Sequence, residues 1–325
     1  MSRNVLAIST ALSLPLDAVG RTFAILSQRG AGKTTLMLVM AEEMLHAHQA
    51  VVVIDKVGVA WGLRASADGR HPGLPILIAG GAHGDLPLDS DAGAALAERV
   101  VTDDLSLVLD LSLLDDDEAL QVIEAFARRL YFRNRTPRHV FIDESDLFCA
   151  QRPERAIERK TRAAVAALVT LGRARGLGCT LVTQRSASLA KRVLTQVETL
   201  IVLRTPAPQD RVAIQAWITA QGVSAEHELL ASLPTLPVGT AWVWSPAWLD
   251  YCHRVPIRRR ETWDSSATPT PGAPAKMPQA WAPVNAWELS ALSAITIQRA
   301  AGDPAPAAPR SSHSGETHAR RARPT

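Results

Sequence analysis

A lysine and a hydroxyl residue that open a helix after a glycine-containing turn are equipped to hold a chain of phosphates. Residues 22–40 read TFAILSQRGAGKTTLMLVM: an apolar strand, a short turn, then Lys33-Thr34 at the start of a helical stretch. Gly30, Gly32, Lys33 and Thr34 satisfy the second half of the P-loop pattern GxxxxGK[ST], with Ser27 standing where its first glycine belongs. Glycine lets the backbone wind round a phosphate so that successive N–H groups converge on it. The unpaired N–H groups and dipole of the helix N-terminus add to the attraction. The spacing therefore assigns Gln28, Arg29, Gly30, Ala31, Gly32 and Thr35 to the phosphate cradle. Lys33 is expected to reach the β- and γ-phosphates, and the Thr34 hydroxyl to ligate Mg²⁺.

A second group of chemical residues lies about 110 positions downstream. His139-Val140-Phe141-Ile142-Asp143-Glu144 reads as an apolar strand ending in paired carboxylates. Beside a P-loop, Asp143 would hold Mg²⁺ through water and Glu144 would take a proton from an attacking water. Adjacent carboxylates repel, so sharing one site requires a metal or substrate charge to compensate. No Asn-Lys-x-Asp sequence marks a guanine site, so ATP is the expected nucleotide. Glu directly after the strand Asp fits hydrolysis better than phosphoryl transfer to a metabolite. Residues 171–185, LGRARGLGCTLVTQR, form a third candidate: an apolar strand between arginines, ending in Thr183-Gln184. A glutamine at that end can hydrogen-bond the γ-phosphate or the attacking water.

Such groups must be carried by a sheet that brings strand ends together. Short β-branched runs recur at residues 22–26, 51–54, 75–78, 107–111, 139–142, 179–183 and 199–203. Helical stretches lie between them, at 33–46, 94–101, 118–133, 158–171 and 209–221. Uninterrupted apolar strands such as Val51-Val52-Val53-Ile54 imply a sheet covered on both faces. Strand–helix alternation implies a parallel α/β sheet with right-handed crossovers.

Lys33-Thr34, Asp143-Glu144 and the Arg–Gly–strand–Thr-Gln-Arg stretch together resemble the HerA/FtsK superfamily of ring-forming, DNA-pumping ATPases. The similarity spans about residues 20–260 and includes Ile54-Asp55 and Val202-Leu203-Arg204. It implies an α/β P-loop NTPase with a RecA-like, mostly parallel sheet flanked by helices. It also implies ATP and Mg²⁺ as cofactors, a helicase- or translocase-type ATPase, double-stranded DNA as the partner and a homo-oligomer, a hexamer by resemblance. In that superfamily the strand-end glutamine, here Gln184, acts as sensor. An arginine before the strand serves the neighbouring subunit's ATP; Arg173 matches it by spacing, with Arg175 the nearer rival. Only about 20 residues precede the P-loop, and neither membrane spans nor a winged helix is evident, so the resemblance is to the motor core, closest to the HerA branch. Two alternatives stay open: an export, phage or conjugation assembly ATPase of the same fold, and a slow ATP-dependent switch that binds a partner. A nuclease or a mobile-element or phage protein would be a fitting partner.

Other features are less committed. Residues 152–162, RPERAIERKTR, carry net charge +3 and either meet DNA phosphates or form a solvated helix held by Glu154/Glu158 and Glu158/Arg162 neighbours. Arg185, Lys191 and Arg192 form a second basic candidate. Trp242, Trp244 and Trp248 are read as one buried strand face, and Arg258-Arg259-Arg260 as a solvated run. No metal set is found beyond the nucleotide's Mg²⁺. The 325 residues are 47% hydrophobic and 21% charged, which excludes a mainly disordered chain. No run of about 18 uncharged apolar residues appears, so no integral membrane segment is expected. Cys149, Cys179 and Cys252 are odd in number and in no CxxC pair, which excludes a disulfide framework and fits a reducing, cytoplasmic setting. Arg3 and the apolar 5–8 stretch imitate a secretory signal, but residues 14–17 offer no small-residue cleavage site, so a short strand is expected instead. Nine of the 21 prolines fall in residues 261–325. The expected organisation is a strand segment over 1–20, a motor domain over 21–262 and a Pro/Ala-rich, largely disordered basic tail over 263–325. A short helix is expected within that tail, over 287–299.

Overall fold

The expected strands are present, each shifted by no more than two residues. The computed structural model describes residues 4–219, 226–266, 272 and 276–284, so the helix expected over 287–299 and the basic end lie outside the described residues. The chain opens with a small hairpin, β1 (Val5–Ala7) and β2 (Ser13–Pro15), where the sequence suggested a single strand. Then follow β3 (Thr22–Leu26), α1 (Lys33–His46), β4 (Ala50–Asp55), β5 (Leu77–Gly80), α2 (Gly93–Thr102), β6 (Leu107–Asp110), α3 (Asp116–Arg133) and β7 (Arg138–Ile142). A one-turn α4 (Ser145–Phe148) leads to α5 (Ala156–Leu171), β8 (Leu177–Thr183), a short α6 (Lys191–Leu194) and β9 (Thr199–Val202). The last elements are α7 (Pro208–Thr219), α8 (Glu226–Ser232), β10 (Thr240–Ser245), a one-turn α9 (Pro246–Leu249) and β11 (Tyr251–Pro256).

Among the described residues the main sheet has nine strands in the order β11-β10-β9-β3-β8-β7-β4-β6-β5. From β9 to β5 every pairing is parallel, while β10 and β11 add an antiparallel edge. Strands β3, β7 and β8 are buried at every position, as in a sheet covered on both faces. Alternate residues feed two cores. Ala24, Leu26, Val52 and Ile54 pack with α2, α3 and α5, whereas Phe23, Ile25, Val51 and Val53 pack with α1. Among the described residues no helix is long and apolar enough to cross a membrane.

A buried histidine sits in the middle of this sheet. His139 on β7 is fully buried, with Nδ1 2.9 Å from the Val19 carbonyl and Nε2 2.7 Å from the Thr180 hydroxyl. Neighbouring Gly178 has no side chain for a reason: a Cβ there would lie 2.1 Å from the Val19 carbonyl oxygen. Burial pushes His139 down to about 4, only partly offset by the Val19 contact, so it is neutral at pH 7.

Three sequence expectations change at the edges. Trp242 and Trp244 share a buried strand face, but Trp248 lies past the strand in α9, edge-on to Phe23 at 5.8 Å and beneath the Arg21 guanidinium at 5.0 Å. The arginines after β11 are not a solvated run, although Arg259 is exposed. Arg258 pairs with Glu42 at 2.9 Å and Glu43 at 2.8 Å, two carboxylates buried on α1, and Arg260 is itself buried beside Glu42. An ion has to be paired when it is buried, and α1 supplies the partners. The core also extends past residue 262. Trp263 donates its backbone N–H to Gly62 and Ala65, Arg64 donates to the Ala282 carbonyl, and Trp281 stacks on Trp61 at 5.2 Å. Proline-rich composition hid this because it reports the loss of regular structure, not the loss of packing.

Candidate nucleotide site

Because β3, β8 and β7 are parallel neighbours, their carboxyl ends lie side by side, with β8 between the other two. Ligands of open α/β sheets bind at such ends. The turn after β3 is tied down at its start: Ser27 donates its N–H to the Thr183 carbonyl and Gln28 to that of Arg204, at 3.3 and 2.9 Å. It then passes through Gly30 (φ 74°) and Gly32 (φ 104°), conformations that disfavour any side chain. Gly32 is the N-cap of α1 and makes no side-chain cap, so the first N–H groups of a fourteen-residue helix face the open strand edge. Arg29 and Gly30 are exposed and Gln28 half-buried, which leaves this cradle open to solvent.

The side chains converge just inside it. Lys33 Nζ lies 3.3 Å from Asp143 Oδ1 and 3.0 Å from Glu144 Oε1. Gln184 Nε2 donates to the same Glu144 oxygen at 2.6 Å. Burial works to lower the Lys33 pKa, but Asp143 and Glu144 outweigh it and hold the lysine above its ordinary value, hence charged. Asp143 is buried, and that burial raises its carboxyl above the usual range despite Lys33. Its second oxygen, Oδ2, is buried and has no hydrogen-bond partner. An orphaned buried carboxylate oxygen suits a cation, so Asp143 with the Thr34 hydroxyl fits the Mg²⁺ expected at this motif. Among the described residues no group of three or more His, Cys, Asp or Glu is arranged to hold a metal unaided. Glu144 has φ 45°, a left-handed conformation that costs a non-glycine residue of order 1 kcal/mol or more and is concentrated at functional sites.

Two features here escape sequence reading. Asp55, at the end of β4, is buried and accepts four backbone N–H bonds, from Val57, Gly58, Val59 and Ala60, at 2.6 to 3.0 Å. Burial still raises it to about 6, with Asp143 and Asp110 adding repulsion. Asp146, two residues past Glu144 at the start of α4, accepts the Thr183 hydroxyl at 2.6 Å. The four-bond turn at Asp55 has a signal in hindsight, a strand-end aspartate before Gly58; the Asp146 contact is long-range and has none.

The candidate arginines are elsewhere. Arg173 lies before the first residue of β8 and Gln184 after its last, so the two are at opposite edges of the sheet, roughly 20 Å apart for a seven-residue strand. Arg173 pairs with Glu198 at 3.1 Å and is largely exposed, while Arg175 is stacked over Tyr131 at 4.2 Å. In the 152–162 segment Arg155 is engaged by Asp117 and Glu158, and Glu158 receives the N–H of Glu154 rather than pairing with Arg162. Arg152, Arg185, Lys191 and Arg192 have no ion-pair partner among the described residues. Arg152 and Arg185 line a cleft of about 490 Å³ that opens beside Glu144 and Gln184. Arg152 also lines an adjoining groove of about 670 Å³, together with Lys191.

No family model matches the chain. A curated relative, "Probable helicase MJECL08" of Methanocaldococcus jannaschii, is 29% identical over 150 residues, 42% of this chain. The chain spans 27% of that relative's length. Among solved structures, the bacterial conjugative coupling protein TrwBdeltaN70 superposes with a TM-score of 0.54 at 13% identity, over 81% of this chain and 91% of that one. The genome packaging NTPase B204 of Sulfolobus turreted icosahedral virus 2 superposes with a TM-score of 0.51 at 15% identity, over 74% and 98%. At such identities the likeness concerns the fold alone, a mostly parallel sheet flanked by helices, as in P-loop NTPases.

Proposed function

We propose that this chain, with the fold of FtsK/HerA-type P-loop ATPases, hydrolyses ATP and uses the energy to move double-stranded DNA, working as a homo-oligomeric ring. The convergence of Lys33, Asp143, Glu144 and Gln184 at one strand edge carries the reading. The backbone of residues 28–32 with Thr34 and Thr35 cradles the phosphates, and Lys33 leaves the two carboxylates to reach the β- and γ-oxygens. Thr34 and Asp143 would hold Mg²⁺, whose positive charge would offset the negative charge that develops on the leaving diphosphate. Glu144, released by Lys33, takes a proton from water as the water oxygen bonds the γ-phosphorus. The bond from that phosphorus to the β–γ bridging oxygen breaks, and ADP and phosphate leave. Gln184 orients the water and senses whether the γ-phosphate is present. Arg173, on the far edge of its own sheet, serves a neighbouring subunit's site.

DNA as cargo is supported by Arg152, Arg185 and Lys191, which have no ion-pair partner among the described residues and line the cleft and groove, and by the likeness to a genome packaging NTPase and a probable helicase. The test is the ATPase rate with and without duplex DNA across a salt series. Stimulation should fall as salt rises, because phosphate contacts release counterions. Reversing Arg152 and Arg185 to Glu should flatten that dependence, whereas Arg155 is already committed to Asp117 and Glu158. A rate indifferent to DNA at low salt would favour an assembly or switch role for the same site.

A further inference from the structure

The two segments that carry Glu144 and Gln184 are fastened to each other by side chains that the reaction itself does not use. The Thr183 hydroxyl donates to Asp146 Oδ1 at 2.6 Å and, through its oxygen, accepts the Arg185 N–H at 2.9 Å. That single hydroxyl therefore holds the chain on both sides of Gln184. The Ser145 hydroxyl donates to the Val182 carbonyl at 3.1 Å, one residue further back on the same strand. Gln184 itself reaches Glu144 at 2.6 Å. Thr183 and Ser145 are fully buried, so their hydroxyls have no water to fall back on. Asp146 borders the cleft that Glu144 and Gln184 line, and its carboxylate is engaged by Thr183.

From this geometry we infer that Asp146 is a positioning residue for hydrolysis: through Thr183 it fixes the Gln184 side chain against Glu144. A carboxylate accepting a hydroxyl proton makes a short, charge-assisted bond, which defines distance and direction more tightly than a neutral pair. The Thr183 oxygen, polarised by that donation, is the better acceptor for Arg185 N–H, so the two bonds reinforce each other. Without Asp146, Thr183 loses its acceptor, the turn at residues 184–185 loosens, and Gln184 no longer arrives oriented for the water or the γ-phosphate. Misplacement by about 1 Å at such a site costs on the order of 10²-fold in rate. Binding of ATP, held by the Lys33 turn, does not pass through this contact. The inference rests on the proposed ATPase reading.

The experiment compares full-length wild type with Asp146→Ala, Thr183→Val, Thr183→Ser, Gln184→Ala and the Asp146→Ala/Gln184→Ala double variant. Steady-state phosphate release and the binding of a fluorescent ATP analogue are measured for each. Asp146→Ala and Thr183→Val should lose about 10- to 100-fold in kcat with analogue affinity changed less than about threefold. Thr183→Ser keeps the hydroxyl and should restore most of the rate. The double variant should be no slower than Gln184→Ala alone, because a residue that acts through Gln184 has nothing left to position. A double variant slower by the product of the two single losses would overturn the assignment, as would loss of analogue binding in Asp146→Ala. If Asp146→Ala fails to fold, the contrast between Thr183→Val, which removes the hydroxyl, and Thr183→Ser, which keeps it, decides the matter: equal rates in the two would overturn the assignment. Absence of phosphate release from wild type would refute the ATPase reading instead, and is read separately from the variants.

Discussion

Acid should destabilise this protein through one residue in the middle of its sheet. His139 is held near 4 by burial, against about 6.5 for a free histidine, so between those values the unfolded chain binds a proton that the folded chain does not. Stability therefore falls as the pH drops below about 6.5, and the loss is complete below about 4. A difference of about 2.5 pKa units corresponds to about 3 kcal/mol in total, of which about 2 kcal/mol is already lost between pH 7 and pH 5. The assay is urea denaturation of wild type and His139→Gln at pH 7, 6 and 5, extrapolated to water. The glutamine does not titrate, and subtraction cancels every group the two proteins share. The variant is expected to be the less stable at pH 7, since the contacts to Val19 and Thr180 are built for an imidazole, and to close on wild type by about 2 kcal/mol at pH 5. A gap that stays constant with pH, or widens in acid, would refute the claim that a neutral imidazole is sealed between β7, β8 and Val19.

Further outcomes follow from the same contacts. Arg258→Met should remove a counter-charge that Glu42 and Glu43 share in the interior and cost about 3–5 kcal/mol, read as a large fall in Tm; Arg259→Met, at an exposed position, should cost little. Trp281→Ala should cost about 1–3 kcal/mol by removing the stack on Trp61, and no change in Tm would detach the 276–284 segment from the core. Arg173→Ala and Lys33→Ala should each be inactive alone, yet regain part of the rate when mixed, because some interfaces then pair an intact cradle with an intact arginine supplied in trans. No recovery in mixed oligomers confirmed by mass would remove Arg173 from the neighbour's site.

The fold was legible where the sequence is locally consistent. Unbroken apolar runs such as Val51–Ile54 belong to strands buried on both faces, and helix α1 begins and ends at the residues its pattern marks. Lys33, Asp143, Glu144 and Gln184 were legible for a related reason. Each sits at a fixed offset from a strand end, and parallel strands bring their ends together. Periodicity is blind to partners distant in sequence. Nothing in the sequence around Glu42 and Glu43 on α1 announces Arg258, more than 200 residues away. The same blindness applies to Asp146 with Thr183, 37 residues apart, and to Trp281 on Trp61. Composition misled in one direction only: the described residues of the proline-rich stretch after residue 262 lie in no helix or strand, yet supply Trp263 and Trp281 to the core edge.

The central claim is that this strand edge hydrolyses ATP with Glu144 as the base, and one comparison tests it most directly. Wild type and Glu144→Gln are incubated with Mg²⁺ and radiolabelled ATP, and bound nucleotide and released phosphate are measured in the same samples. The glutamine keeps the shape of the side chain but does not take a proton at neutral pH. The account predicts that the variant retains ATP while its phosphate release falls by about 10²-fold or more. Turnover by Glu144→Gln close to that of wild type would contradict it.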